Sequence, residues 1–179
     1  MKKWKRSLLV VCFVFLVIQV SGCGASGHGH EVLFLEDGNG NAIYFGMTRS
    51  DAKEILGVGE IFIGEMYEYN RGIRILYRGD TAVLVQASQP GWKTFADAEI
   101  GVTTKVQLQE HEIFNQYANS LAQSHIYDLF FDESFTPQTA TEDGTWAYVL
   151  SFQFIRNNAG DYVVDTILFA DQTAAMMLQ

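Results

Sequence analysis

Residues 73–87 read IRILYRGDTAVLVQA. Ile73, Ile75 and Tyr77 alternate with Arg74, Leu76 and Arg78. A Val-rich run follows over Thr81–Ala87. A period of two is typical of a β-strand, and the two-residue connection Gly79-Asp80 is short enough for a hairpin. The stretch therefore predicts two antiparallel strands, because a parallel pair needs a crossover of a dozen or more residues.

The segments upstream of this hairpin extend the pattern. Ile61–Tyr69 is a further strand candidate, and Asn70-Arg71-Gly72 joins it to the hairpin, so we predict an antiparallel meander. Thr48-Arg49-Ser50-Asp51 places an N-cap residue three positions before an acidic residue, which predicts a short helix ending at Gly57. Earlier still, the turn residues Asp37–Asn41 separate two apolar runs and predict another hairpin.

The second half of the chain follows the same order. Thr104–Gln107 is another helix N-terminus, and strand candidates follow at 126–131, 146–155 and 162–170. The apolar face of this predicted helix comprises Val106, Ile113, Phe114, Tyr117 and Leu121. Both helix entries, Phe45–Thr48 and Ile100–Thr103, read apolar-Gly-apolar-Thr. We therefore predict an α+β fold whose antiparallel sheet is built from two helix-plus-three-strand repeats, about 41–88 and about 97–171, with the helices packed on one face.

The N-terminus has the pattern of a secretory signal. Lys2, Lys3, Lys5 and Arg6 precede the uninterrupted apolar run Leu8–Ile18. As a helix this run is roughly 16 Å long, about half of a bilayer core of ~30 Å, so it is too short for a comfortable membrane span. Positive residues before the run orient the N-terminus toward the cytoplasm, and we expect the rest of the chain to be exported.

The four residues Val20-Ser21-Gly22-Cys23 resemble the bacterial lipobox. The resemblance implies cleavage of a signal peptide, 1–22, and transfer of diacylglycerol to Cys23, whose acyl chains make membrane lipid a partner of the protein. Residues 23–30 are then the lipidated Cys and a flexible tether, and 31–179 are the exported domain. The expected location is the outer face of the cytoplasmic membrane, or the outer membrane in a Gram-negative host.

Charge and cysteine content exclude several function classes. The chain has 12 basic and 21 acidic residues, and removing residues 1–22 leaves eight basic residues and a net charge of −13. Nucleic-acid binding is therefore not expected, since it needs clustered Lys and Arg. Cys12 lies within the leader, so the exported domain has no cysteine besides Cys23 and no Cys-based redox or zinc chemistry.

A family resemblance adds a function. The run FGMTRSDAKEILG (Phe45–Gly57), followed by Tyr67 and Tyr69, resembles the helix-entry motif of small exported lipoproteins of the SmpA/OmlA type. The repeated helix-plus-meander order over 41–171 is similar to beta-lactamase inhibitory protein and its domain family. These resemblances imply a non-enzymatic module that binds other envelope proteins with exposed sheet and loop residues.

Aromatic residues supply the candidate partner contacts, namely Trp92, Tyr67, Tyr69, Trp146 and Tyr148. Trp146 and Tyr148 begin a stripe that continues through Leu150, Phe152 and Phe154 on one strand face. The stripe is either core beneath the helices or a partner face. If it is core, the opposite face, from Ala147 to Ile155, becomes the partner face. Trp92 follows Pro90-Gly91 and is the better candidate for an exposed aromatic residue.

Two other function classes remain open. His28 and His30 in the tether together with the adjacent Glu31, or a cavity between the halves, would suit a lipoprotein that captures a metal ion or a small molecule. The carboxylates around the loop Glu133–Thr145 would suit an envelope hydrolase. No nucleophile elbow or phosphate-binding Gly loop occurs, so we predict neither an enzyme nor a cofactor. A broad open sheet would favour the binding module, and a cavity with convergent His and carboxylates would favour the alternatives.

Overall fold

The computed structural model describes residues 33–118, 125–139 and 145–178. The predicted signal peptide, Cys23 and the tether lie outside the described residues. Within these ranges no helix has both the length and the apolar character that a membrane span requires.

Eleven strands and four helices make up the described chain. The strands are β1 (Phe34–Asp37), β2 (Ala42–Tyr44), β3 (Glu60–Ile63), β4 (Met66–Tyr69), β5 (Ile73–Arg78), β6 (Thr81–Ala87), β7 (Trp92–Lys93), β8 (Ile126–Phe131), β9 (Pro137–Gln138), β10 (Tyr148–Arg156) and β11 (Tyr162–Asp171). The helices are α1 (Arg49–Leu56), α2 (Lys105–Glu110), α3 (Glu112–Tyr117) and α4 (Gln172–Met176). A single 3-10 turn, Asn70–Gly72, joins β4 to β5.

A large antiparallel sheet forms the centre of the molecule. Its eight strands lie in the order β3-β4-β5-β6-β11-β10-β8-β9, and every neighbouring pair is antiparallel. The β5–β6 hairpin has the predicted connection at Gly79-Asp80. The predicted α+β class with an antiparallel sheet is confirmed.

A small second sheet has the order β2-β1-β7. Its β1–β2 hairpin is the one predicted from the turn residues Asp37–Asn41, and it pairs Leu35 with Ile43. The third strand was not predicted: Asp37 of β1 pairs with Trp92 of β7, 55 residues along the chain. Local sequence patterns carry no signal for such a distant pairing.

Capping boxes begin the two main helices. The Thr48 hydroxyl accepts from the Asp51 N–H at 3.2 Å, and the Asp51 carboxylate accepts from the Thr48 N–H at 3.1 Å. Thr104 and Gln107 form the same reciprocal pair at α2. Each box satisfies N–H groups that have no partner within the helix.

The single long helix predicted after Thr104 is wrong. His111 has extended backbone angles and separates α2 from α3. Leu108 and Phe114, one on each side of it, are both buried, whereas Val106 of the predicted apolar face is 64% exposed. Residues six apart on a continuous helix point about 120° away from each other, so the break lets both side chains reach the core. Leu121 lies outside the described residues.

The main core lies on one face of the large sheet. That face is buried under α1, α2, α3 and the small sheet, and its largest sheet side chains include Tyr77, Phe131, Phe152 and Phe169. A smaller cluster lies on the other face, where Ala174 of α4 packs near Leu84 and Leu168. The prediction that all helices share one face is therefore wrong for α4.

The division into two helix-plus-three-strand units is not confirmed in that form. The predicted strand Ile61–Tyr69 is two strands, β3 and β4, joined at Gly64-Glu65. Four strands of the large sheet, β3 to β6, therefore follow α1 in the first half. In the second half the two-residue β9 lies between β8 and β10 along the chain and extends the sheet beyond β8.

Candidate functional site

We define the open face as the face of the large sheet opposite α1–α3. A row of directly opposed residues crosses it over seven strands. In sheet order the row comprises Glu60, Glu68, Arg74, Gln86, Leu168, Ser151 and Asp128. Six of these seven side chains are polar, so we call this set the polar row. At ~4.8 Å between strands it spans roughly 29 Å.

A parallel apolar row lies beside the polar row and explains where α4 sits. It comprises Ile63, Met66, Leu76, Leu84, Ala170, Val149 and Phe130. Ala174 and Ala175 of α4 pack against members of this row. The helix thus covers the middle of the apolar row, whereas Ile63 at the end of that row stays exposed. The polar side chains of the polar row are exposed or half-buried beside the helix.

Charges within the polar row are partly compensated. Arg74 donates to Glu68 Oε1 from Nε at 3.0 Å and from Nη2 at 2.9 Å. Asp128 lies at the opposite end of the row, where burial raises the pKa of its carboxyl above the ordinary value and a hydrogen bond with the Ser151 side chain acts against this shift. The row therefore carries an acidic group near each end.

An apolar groove of about 330 Å³ adjoins the Asp128 end of the row. Its apolar walls include Phe130, Trp146, Val149 and Leu178, and Asp128 and Ser151 supply the polar side. The rings of Phe130 and Trp146 lie 5.1 Å apart. A groove of this kind can hold an apolar or aliphatic-basic side chain of a partner, with Asp128 placed to meet a cation.

The aromatic stripe of β10 is mostly core. Leu150, Phe152 and Phe154 are buried beneath the helices, as the core interpretation predicted. Tyr148 is half-buried and stacks on Phe135 with ring centres 4.2 Å apart. Trp146 departs from the stripe, because it precedes the strand and packs with the smaller cluster on the open face.

The expectation that Trp92 is exposed is wrong. Its side chain is fully buried in the main core, its Nε1–H donates to the Arg71 carbonyl at 3.3 Å, and the Arg71 guanidinium lies 4.1 Å from its ring centre. Arg71 also donates to the buried Asp37 carboxylate at 2.6 Å. The cluster of Asp37, Arg71 and Trp92 connects the small sheet to the large sheet and is a structural feature.

Tyr67 and Tyr69 lie on the helix-covered side of the sheet. Tyr69 is buried, and its hydroxyl lies 2.8 Å from that of Tyr77. Burial and this contact raise the pKa of Tyr77 well above its ordinary value. Tyr67 is half-buried and accepts from Arg49 Nη1 at 2.9 Å. Among the five candidate residues, only Trp146 and Tyr148 come together at an accessible surface.

That surface is a cleft of about 830 Å³ at one end of the sheet. Arg78 and Thr81 from the β5–β6 hairpin face Trp146, Tyr148 and Asp171 across it. Arg78 Nη1 donates to Asp171 Oδ2 at 2.7 Å, so both charges are already partnered. Both halves of the chain therefore contribute to the walls of the cleft.

The carboxylates proposed for a hydrolase are only partly described. Asp132 accepts from the N–H groups of Ser134 and Thr136 at 2.8 and 3.0 Å, which occupies it in a turn. Glu133 is exposed at the rim of the cleft. Glu142 and Asp143 lie outside the described residues, as do His28, His30 and Glu31. Within the described part of the chain, no three His, Cys, Asp or Glu side chains are grouped to hold a metal ion.

Sequence reasoning did not single out Arg74, Gln86 or Asp128. Each occupies an outward position of an alternating strand, and that alternation was the available signal. Their alignment into one row depends on the register of non-consecutive strands. Searches against protein-family models, curated proteins and solved structures found no match to this chain.

Proposed function

We propose that the protein is a lipid-anchored, non-catalytic binding module of the cell envelope that captures another protein on its open face. The observation that carries the proposal is the accessible polar row beside an apolar groove. Protein interfaces commonly combine an apolar centre with a polar periphery, and this face offers both over roughly 29 Å. Such an extended surface suits a protein partner better than a small ligand.

The charge of the module favours a partner that is basic, or neutral with apolar anchors. The exported domain has a net charge of −13 once residues 1–22 are removed. Glu60 and Asp128 make no ion pair within the described part of the chain. Complementary charge speeds encounter and selects among partners more than it adds affinity.

Attachment through Cys23 is part of the proposal. The positive n-region, the short apolar run and the Val20–Cys23 string support it, and two acyl chains give stable membrane binding where one chain is marginal. Metabolic labelling with an alkyne analogue of palmitate tests the attachment. We expect label on the wild-type chain and none on a Cys23→Ser variant, and an unlabelled wild-type chain that retains Met1 would contradict it.

Site-specific photo-crosslinking in the native host tests the partner-binding face. The photoreactive p-benzoylphenylalanine replaces Gln153 or Gln86 on the open face, and Gln109 on α2 is the matched control because it is an exposed glutamine on the helix-covered side. We expect one reproducible adduct with a protein from the open-face positions only. Equal adducts from Gln109, or none from the open face, would refute a specific partner there.

We further propose that the two halves are copies of one helix-plus-meander unit. Gly46 N–H donates to the Ala82 carbonyl at the start of β6, and Gly101 N–H donates to the Val164 carbonyl near the start of β11. The strands β6 and β11, which close the meanders of the two halves, each have one unpaired bulge residue. This residue is Val83 in β6 and Asp165 in β11. β6 and β11 are neighbours at the centre of the sheet, which supports an internal two-fold relation between the halves.

A second candidate function is capture of a small molecule in the cleft of about 830 Å³. It is favoured because both halves supply cleft walls, with Arg78 and Thr81 from one half and Trp146 and Tyr148 from the other. Native mass spectrometry of the protein isolated from its host tests this. A bound mass that disappears in a Tyr148→Ala variant would support it, and an unliganded wild-type protein would argue against it.

A further inference from the structure

Strand β3 forms an unpaired, apolar edge of the large sheet. It pairs with β4 on one side, and no strand of the described chain pairs with its other side. Its three apolar residues and Val58 before it are all exposed: Val58 by 73%, Ile61 by 69%, Phe62 by 49% and Ile63 by 67%. Free backbone groups next to exposed apolar side chains are a template for pairing with another strand.

At the opposite edge of the same sheet β9 pairs with only Phe130 and Phe131 of β8, and among the other four residues of β8 only Ile126 is an exposed apolar residue. There β9 has only two residues, and one of them is Pro137, which cannot donate a ladder hydrogen bond. Short edge strands, proline and charge are the common means of preventing edge pairing. β3 contains no proline and only one charged residue, Glu60. The contrast within one sheet indicates that the β3 edge is left available for a partner strand.

We propose that β3 pairs antiparallel with β3 of a second copy of this chain, joining two sheets about a two-fold axis. An antiparallel pair of identical strands is isologous and closes on itself, so it gives a dimer and no further growth. The axis must stand perpendicular to the sheet, so that the helix-covered faces of both copies lie on the same side. In that geometry one residue of β3 lies opposite its own counterpart.

Local charge permits this pairing although the chain is acidic. Glu65 and Glu68 beside the edge already pair with Arg49 and Arg74. Glu60 is therefore the one uncompensated charge on the strand. Within one copy, the Arg74 guanidinium lies 4.0 Å from the centre of the Phe62 ring. If Ile61 pairs with Ile61 of the other copy, Glu60 of each copy lies opposite Phe62 of the other. Each Glu60 carboxylate then lies next to the Arg74 guanidinium of the other copy.

The size of the contact indicates a reversible dimer. β3 has four residues, and its exposed side chains point to the two faces of the sheet, so only their flanks and the backbone meet across the edge. Such a contact is smaller than the area of about 1,200 Å² at which specific interfaces begin. Attachment to a membrane through Cys23, as proposed above, raises the effective concentration of the chain and favours such a contact. The pairing itself does not rest on the partner-binding role of the open face.

Disulfide trapping of the full chain in its native host tests the proposal. Single cysteines replace Ile61 or Phe62, and Val106→Cys is the matched control because Val106 is an apolar residue of similar exposure on α2. Opposed residues of antiparallel strands have Cα atoms about 4.5–5.5 Å apart, which is within disulfide reach. We expect a covalent dimer on a non-reducing gel from Ile61→Cys or Phe62→Cys, at least tenfold above the control.

A second substitution keeps the test decisive. Ile63→Lys, added to the cross-linking variant, places a charge in the pairing edge and is expected to reduce the dimer band at least fivefold. The wild-type chain, with only Cys12 and Cys23, measures the background. The absence of a dimer at both positions, an equal band from Val106→Cys, or an adduct of β3 with a different protein would each overturn the proposal.

Discussion

Replacing Arg71 by Met is expected to loosen the connection between the two sheets. Arg71 links the buried carboxylate of Asp37 in β1 to Trp92 in β7, through a 2.6 Å ion pair and a ring contact at 4.1 Å. The Met side chain is also long and unbranched, so it still covers the Trp92 ring. The substitution removes only the positive charge of the guanidinium and its hydrogen-bond donors. The backbone at position 71 has a φ of 63°, which is a left-handed conformation. This conformation costs Arg and Met about the same free energy, so it does not contribute to the difference in stability between the wild type and the variant.

The structure sets the magnitude of this loss. Removing one partner of a buried ion pair typically costs about 3–5 kcal/mol, because the other charge stays buried and uncompensated. Here the loss is smaller, since Asp37 still accepts from the N–H groups of Asn39 and Asn41 at 2.9 and 3.0 Å, and the Arg71 side chain is 41% exposed. We expect about 2–3 kcal/mol, or a melting temperature lower by roughly 5–10 °C.

The pH dependence gives a second, independent signature. The Arg71 guanidinium, together with donors from Asn39 and Asn41, holds the pKa of Asp37 well below its ordinary value. The unfolded chain has the higher pKa, near 3.9, so the ion pair stabilises the fold above that pH and its contribution fades as the pH falls through the folded pKa. The stability gap between the wild type and Arg71→Met should therefore narrow below about pH 4.

Urea unfolding at pH 7 and at pH 3, followed by far-UV circular dichroism, measures both quantities. Asp37→Asn and the double variant complete a double-mutant cycle, in which we expect a coupling of at least about 1 kcal/mol. A loss below about 1 kcal/mol at pH 7, or a gap of the same size at pH 3, would refute the assigned role of the pair.

Three further predictions concern single side chains. Thr48→Ala removes the hydroxyl that accepts from Asp51 N–H and should cost about 1 kcal/mol in urea unfolding. Tyr77→Phe leaves the buried Tyr69 hydroxyl without its partner at 2.8 Å and should lower the free energy of unfolding by about 1–2 kcal/mol. The double variant Tyr69→Phe with Tyr77→Phe should lose less stability than the sum of the two single variants. Asp128→Asn should raise the melting temperature at pH 7 and not at pH 3, because burial disfavours the ionised form, while photo-crosslinking from the open face should weaken.

Local signals were sufficient for elements whose partners are near in sequence. The β5–β6 hairpin and the bounds of β8 follow from alternation and short turns, and the caps of α1 and α2 follow from their capping residues. The division of Ile61–Tyr69 was missed because the whole segment is rich in strand-forming residues and Gly64-Glu65 was not identified as a turn. The edge at β3 was missed with it.

Elements that depend on distant contacts could not be predicted. Trp92 follows Pro90-Gly91, a pattern typical of an exposed connection, yet it is buried because β7 pairs with β1 and Arg71 covers its ring. The break at His111 exists because Leu108 and Phe114 both reach the same core, which a helical periodicity count does not reveal. The polar row depends on the central β6–β11 pairing, in which Gln86 and Leu168 are opposed although they are 82 residues apart.

The two proposed contacts occupy different ends of the polar row, and this arrangement has a consequence for the partner. Glu60 at one end belongs to β3, and Asp128 at the other end adjoins the apolar groove. Because the dimer axis stands perpendicular to the sheet, pairing of two copies through β3 places both open faces on the same side. The two grooves then lie at opposite ends of the joined sheet, and the twist of about 20–25° between neighbouring strands turns them toward different directions. A partner that carries two binding segments on a flexible linker can occupy both grooves, and its second contact forms at a high effective concentration. Weak binding at each groove is therefore sufficient for firm capture, and disrupting β3 should weaken capture of such a partner without changing the affinity of either groove.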